Sequence, residues 1–164
     1  ATEASIIRDA VVAGSDRQID ALWKLRESIS EAQKGAGASV KHDVSVPIAA
    51  IGDFLHEATQ RVEAEWPGVR VCAFGHLGDG NIHFNLSVPE GEPDAPFLEH
   101  WMAISRVVHD VVVSLDGSIA AEHGIGRLKR EEMAHYKSDV EMDLMRKIKN
   151  VMDPQGLMNP GRVL

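Results

Sequence analysis

Two histidines and two asparagines sit among glycines in GHLGDGNIHFNL, residues 75–86, a run that otherwise reads as sheet. Imidazole serves two chemistries near neutral pH: proton transfer, and ligation of a divalent ion. If strands 69–76 and 81–88 are joined by Leu77-Gly78-Asp79-Gly80, with His76 opposite Asn81, the remaining pairs follow by symmetry. One face then collects Val69, Val71, Ala73 and Gly75 with Ile82, Phe84, Leu86 and Val88, and it must meet helices. The other collects Arg70, Cys72, Phe74 and His76 with Asn81, His83, Asn85 and Ser87. A solvated face usually carries Lys, Glu and Thr, whereas this one concentrates imidazole and carboxamide groups. His76 and His83 become diagonal neighbours, about 7 Å apart at the backbone, so their rings can converge on one ion. Two imidazoles suit Zn, Mn, Fe or Co, with a carboxylate as third ligand and an open position for substrate. Asp79 and Glu122 are the candidates; Asp79 is also explained by Asp-Gly turn chemistry, and Glu122 stands beside His123 in AAEHGIG. The plain alternative is a pair of hydrogen-bonded structural histidines.

Several elements must hold these groups in place. Ser15 and Gln18 form a capping-box pattern, and Leu22, Leu25 and Ile29 follow at helical spacing, which predicts a helix over 16–33 ended by KGAGA. In SVKHDVSVP, Val40, Val44 and Val46 alternate with Lys41, Asp43 and Ser45, the period of a strand. Pro47 suits the first turn of a helix carrying Ile48, Ile51, Leu55 and Val62, which stops before Trp66-Pro67-Gly68. After the hairpin, PEGEPDAP reads as loop, followed by a helix with Trp101, Ile104, Val107, Val108, Val111 and Leu115. DGSIAAEHGIG is too rich in small residues to continue it. Ser138 and Glu141 make a second capping box, opening a helix with Met142, Met145, Ile148 and Val151 that ends at Asp153-Pro154. The expected fold is a single α+β domain, a ferredoxin-like antiparallel sheet with helices packed on one face.

The totals exclude some functions. A formal charge of −8 over 164 residues gives no basic footprint for nucleic acid. No apolar run approaches the roughly 20 residues that span a bilayer, and the first residues lack a signal-peptide layout, so a cytoplasmic setting is expected. The single cysteine, Cys72, lies in a predicted strand, where a small buried thiol is the expected role.

Three ordered segments, GHLGDGNIHFNL (75–86), GSIAAEHGIGRLK (117–129) and DPQGLMNPGRVL (153–164), together resemble the C-terminal domain of the FAD-linked oxidases. This is the vanillyl-alcohol oxidase/p-cresol methylhydroxylase superfamily, and the branch of D-2-hydroxyglutarate dehydrogenase, D-lactate dehydrogenase and the glycolate oxidase flavoprotein subunit. LWKLRESIS and VKHDVSVP match as well. The resemblance implies a substrate-binding cap over a flavin held by an N-terminal FAD-binding domain. These residues lack that domain's glycine-rich pyrophosphate loop, so the chain is expected to be a fragment, or its first domain a separate polypeptide, and the cap's sheet lacks its leading strand.

Carried over residue by residue, the resemblance implies that His76, His83 and Glu122 ligate a divalent metal, usually Zn. His123 is similar to the family's general base, and Asn85 to a substrate-contacting position. Arg26, Ser30 and Lys41 resemble residues that engage substrate carboxylates, with Ser30 often Thr in the family. Arg26 and Ser30 are four apart, hence on one face of an unbroken helix, and Arg offers a planar fork to a carboxylate. Asn159 resembles a position near flavin and substrate. The implied reaction is oxidation of a D-2-hydroxy acid, of 2-hydroxyglutarate, malate or lactate type, with an electron acceptor reoxidising FAD, at the inner membrane or in solution. A homodimer is compatible with it. The rival readings are a non-catalytic divalent-metal-binding or interaction domain, and a zinc hydrolase without a clearly placed carboxylate base.

Overall fold

The computed structural model describes residues 9–164 and divides the chain into two compact units, Ala1–Gly37 and Ala38–Leu164. The first contains α1 (Asp16–Glu27), α2 (Ile29–Ala32) and a 3₁₀ turn at Gln33–Ala36. The predicted single helix is thus broken at Ser28, whose hydroxyl donates to the Lys24 carbonyl at 2.7 Å while its own N–H reaches the same oxygen at 3.0 Å. Such back-bonding competes with the helical ladder and bends it. Arg26 and Ser30 lie on opposite sides of this break, so the argument from one unbroken face does not hold. The predicted Ser15 box does not form either: Ser15 makes no side-chain cap, and Gln18 Oε1 accepts instead from the Gly14 N–H at 2.7 Å.

The second unit follows β1 (Ser39–Ser45), α3 (Ile51–Glu65), β2 (Arg70–His76), β3 (Asn81–Ser87), α4 (Asp94–Glu99), α5 (Trp101–Ser114), α6 (Arg130–Tyr136) and α7 (Asp139–Met152). It is an α+β fold whose three strands run antiparallel in the order β1-β3-β2. The succession β1-α3-β2-β3-α5 supplies five of the six elements of a ferredoxin-like frame. The hairpin register is the predicted one, with His76 paired to Asn81 and Arg70 to Ser87. Gly80 closes the turn at φ +76°, where a Cβ would stand 2.0 Å from the Val46 carbonyl oxygen. That close approach lets Val46 N–H bond the Gly80 carbonyl at 3.1 Å and ties the turn to the end of β1.

Apolar alternation places Val44, Phe84 and Leu86 against Phe54 and Val62 of α3 and Val108, Val111 and Val112 of α5, all buried in one core. Phe54 and Phe84 meet edge to face, ring centres 5.4 Å apart. As the outer strand, β2 is only partly covered, and Ala73 is exposed.

Three readings need correction. PEGEPDAP already enters α4 at Asp94, anchored by buried Phe97. The helix after the turn at Pro47 buries Ile51, Phe54, Ala58 and Val62, while Ile48 stays exposed. In α7 the capping box forms as predicted, but only Met142 is buried; Ile148 and Val151 face outward. Helix α6 was not predicted. Cys72 is half-buried on the polar side of β2. Among the described residues no helix is long and apolar enough to cross a membrane.

Candidate active site

The three strands build a polar lattice opposite the core. Its cross-strand rows are Lys41, Asn85 and Cys72; then Asp43, His83 and Phe74; then Ser45, Asn81 and His76. The AAEHG loop is brought to this lattice by main-chain bonds to β1. Ser45 and Ser118 exchange two of them, at 2.9 and 2.8 Å, and Ala121 N–H donates to the Asp43 carbonyl at 3.2 Å. Gly117 permits this approach, because a Cβ there would stand 2.4 Å from the Ser45 oxygen. Glu122 and His123 are thereby delivered beside the hairpin.

His76, Glu122, His83 and His123 approach one another in pairs. His76 Nδ1 lies 3.1 Å from Glu122 Oε1 and 3.7 Å from Asp79 Oδ2. The rings of His76 and His83 are 6.3 Å apart, and those of His83 and His123 stack at 5.9 Å. His76, Glu122 and His123 are solvent-accessible, whereas the His83 side chain is 17% exposed.

Beneath them lies a residue that sequence reasoning did not single out. Asp43, 3% exposed, accepts the His123 backbone N–H on Oδ2 at 2.7 Å and the Asn81 amide on Oδ1 at 2.8 Å. The same carboxylate faces His83 Nδ1 at 3.7 Å and His123 Nδ1 at 3.6 Å. Burial pushes its pKa upward, but the His123 N–H, the Asn81 amide and the His123 ring outweigh burial and hold it below the usual carboxylate range. A carboxylate at the centre of a polar sheet face was the available signal, weakened because its partners are remote in sequence. Asn81 Oδ1 is buried without a hydrogen-bond partner among the described residues.

Two imidazoles and a carboxylate are the donor set of a catalytic divalent site. The 3.1 Å between His76 Nδ1 and Glu122 Oε1 is an ion-pair contact, and also a separation that two donors on one ion can take at bonds of about 2.0–2.2 Å. The donor types are those of a divalent site, but among the described residues no three His, Cys, Asp or Glu groups are arranged as a ligand set.

Of the remaining predicted residues, exposed Lys41 and buried Asn85 are cross-strand partners on the same polar face. Asn159, at φ +48°, lines a cleft of about 630 Å³ together with His123, Met145, Ile148, Met152 and Met158. Arg26 is half-buried and Ser30 exposed within the first unit.

The profile of the C-terminal domain of FAD-linked oxidases matches residues 1–163. The chain belongs to that family. It is 40% identical over 157 residues to a D-2-hydroxyglutarate dehydrogenase of Xanthomonas citri pv. viticola, covering 96% of this chain and 33% of the relative. A D-2-hydroxyglutarate dehydrogenase of Stutzerimonas stutzeri is 36% identical over 157 residues, covering 96% and 34%. A putative mitochondrial D-lactate dehydrogenase of Schizosaccharomyces pombe is 38% identical over 168 residues, covering 96% and 31%. The chain thus spans about a third of the length of the curated relatives it matches.

Proposed function

We propose that the protein to which this domain belongs oxidises a D-2-hydroxy acid, of the 2-hydroxyglutarate, malate or lactate type, to the 2-oxo acid. The observation that carries the reading is the meeting of His76, His83, Glu122 and His123 on one polar sheet face, in a chain whose relatives are D-2-hydroxy acid dehydrogenases. A divalent ion, Zn being the proposed one, would be held by His76, His83 and Glu122. Bound FAD supplies a hydride acceptor, and the bound ion supplies Lewis acidity toward a carboxylate and hydroxyl.

His123 takes the hydroxyl proton as general base, a task suited to an accessible imidazole near neutral pH. The hydrogen on C2 leaves with its electron pair, so the substrate loses one hydride, which carries both electrons, and one proton. Lys41 pairs with a substrate carboxylate, and the Asn85 carboxamide orients the substrate. Arg26 and Ser30 are assigned by chemistry alone, guanidinium and hydroxyl being carboxylate partners. Asn159 and the Met-lined cleft beside His123 are assigned to the flavin side, and the exposed stripe of α7 to packing against the FAD-binding domain. An electron acceptor reoxidises the flavin.

The test is anaerobic bleaching of the flavin in the intact protein, with D- and L-2-hydroxy acids added in turn. Bleaching by a D-acid, lost on chelation and restored by Zn or Mn, is the expected result. A flavin-bound protein that no hydroxy acid bleaches would overturn the reading.

A further inference from the structure

Among the described residues, Asp43 is the one buried carboxylate that touches both the hairpin and the AAEHG loop. We infer that it is a positioning residue that sets the place of His123 and the ring tautomer of both His83 and His123. The inference rests on the flavin-linked reading above for its kinetic consequence, though not for its structural one.

Three geometric facts carry it. The Asp43 main-chain carbonyl and its Oδ2 hold two amides of the same loop, Ala121 at 3.2 Å and His123 at 2.7 Å, so β1 fixes where that loop runs. Its Oδ1 is occupied by the Asn81 amide, which also donates to the Val44 carbonyl at 3.3 Å, so the carboxylate cannot swing away. Both neighbouring imidazoles place Nδ1 near it, at 3.6 and 3.7 Å, just outside direct hydrogen-bond distance.

An ionised carboxylate only accepts hydrogen bonds, so a ring nitrogen turned toward it is favoured as N–H. With Nδ1 protonated, a neutral imidazole carries its lone pair on Nε2. For His123 that leaves Nε2 as the proton acceptor, and for His83 it leaves Nε2 as the donor atom toward a ligand. One carboxylate thus settles which nitrogen works on two residues, the part played by the carboxylate partners of catalytic and ligating histidines. Its burial keeps water from competing for the same oxygens.

Selective ¹⁵N-histidine labelling of the intact, FAD-bound protein reads the tautomers directly. Nδ1–H at His83 and His123 is expected; Nε2–H at His123 overturns the inference whatever the variants do. In Asp43→Asn, flavin reduction by substrate should slow roughly 10–100-fold, as for loss of other such partners, with KM little changed and the ring signals shifted toward mixed tautomers. Unchanged flavin reduction and unchanged ring signals would sink the idea. The reciprocal pair Asp43→Asn/Asn81→Asp restores a hydrogen bond between the two positions but moves the charge. It should recover thermal stability without recovering the rate. Full recovery of rate would mean that hydrogen bonding alone matters and would remove the ring-orienting role. If Asp43→Asn does not fold, the paired variant and the wild-type tautomers decide the question. A wild-type flavin that no D-2-hydroxy acid bleaches would remove the reaction while leaving the tautomer result to stand on its own.

Discussion

The sheet has histidines on both faces, and the two groups are treated in opposite ways. On the core side, His42 and His109 are each 2% exposed. His42 Nδ1 donates to the Phe84 carbonyl at 2.7 Å and its Nε2 lies 3.2 Å from Ser105 Oγ. His109 Nδ1 bonds Glu132 at 2.8 Å, and Glu132, 1% exposed, is held in turn by the Arg106 guanidinium at 3.1 Å from Nε. His42 comes from mid-strand, Arg106 and His109 from α5 and Glu132 from the first turn of α6, where packed neighbours enclose them. On the other face, His76 and His123 come from a strand end and a loop and keep their side chains 48% and 70% exposed. Polar groups sealed into a core specify its packing. The groups proposed to meet a substrate are left accessible, with a buried carboxylate beneath them.

Substitutions on the two faces should therefore separate activity from stability. The largest effect is expected on the open face: His123→Ala should slow flavin reduction by ~10²–10⁴, the range of general acid–base catalysis. Its stability should change by no more than about 0.5 kcal/mol, as for an exposed side chain. A folded variant that reduces flavin at the wild-type rate would remove His123 from the chemistry, and a large loss of stability would erase the contrast. On the closed face, Glu132→Ala leaves buried His109 without its carboxylate and half-buried Arg106 to water, and stranding a buried polar group costs about 1–3 kcal/mol. Urea unfolding measures that loss. The fraction that remains folded should still reduce flavin close to the wild-type rate.

These two faces were not equally legible in the sequence. The hairpin was, because a Gly-Asp-Gly turn and strict alternation leave one register that puts Ile82, Phe84 and Leu86 inward. From that register the meeting of His76 and His83 followed. Asp43 was placed on the correct face of its strand, yet its role depends on β1 lying beside β3 and on a loop 80 residues away, which no local pattern encodes. His42 was passed over because a polar residue in an apolar alternation is assigned an inward position without a partner, and its partner, Ser105, is 63 residues distant. The apolar stripe of α7 was legible as a helix, but periodicity reports that a face is apolar and is silent on what covers it.

Acid should act on the closed face first. Burial drives the His42 pKa from 6.5 down to about 3, against the Phe84 hydrogen bond, and burial also lowers His109 despite Glu132. Both rings bind a proton more weakly folded than unfolded. Their neutral state costs nothing above about pH 6.5, and stability is lost as pH falls below that value toward the folded pKa, by about 1.4 kcal/mol per pH unit for His42. His42→Gln should flatten this slope between pH 6 and pH 4 in urea midpoints taken at each pH. A slope unchanged by the substitution would assign the acid sensitivity to other groups.

The smallest expected difference lies between two serines that look alike in sequence. Ser138 accepts the Glu141 N–H, and Glu141 returns a bond to the Ser138 N–H at 3.0 Å, so both ends of the capping box are made. Ser15 has the same apparent motif with Gln18, but its hydroxyl caps nothing. Ser138→Ala should therefore cost about 1 kcal/mol, the usual worth of an N-cap side chain, and Ser15→Ala no more than about 0.5 kcal/mol. The structural cause is the chain before each helix. Both serines have extended backbone, but the Ser138 hydroxyl reaches the Glu141 N–H, whereas before α1 the Gly14 N–H takes the Gln18 side chain. Removing that competitor by Gln18→Ala should leave Ser15→Ala with a larger cost than it has in the wild-type background. An unchanged cost would show that the backbone at Ser15, and not the competing bond, keeps the box open.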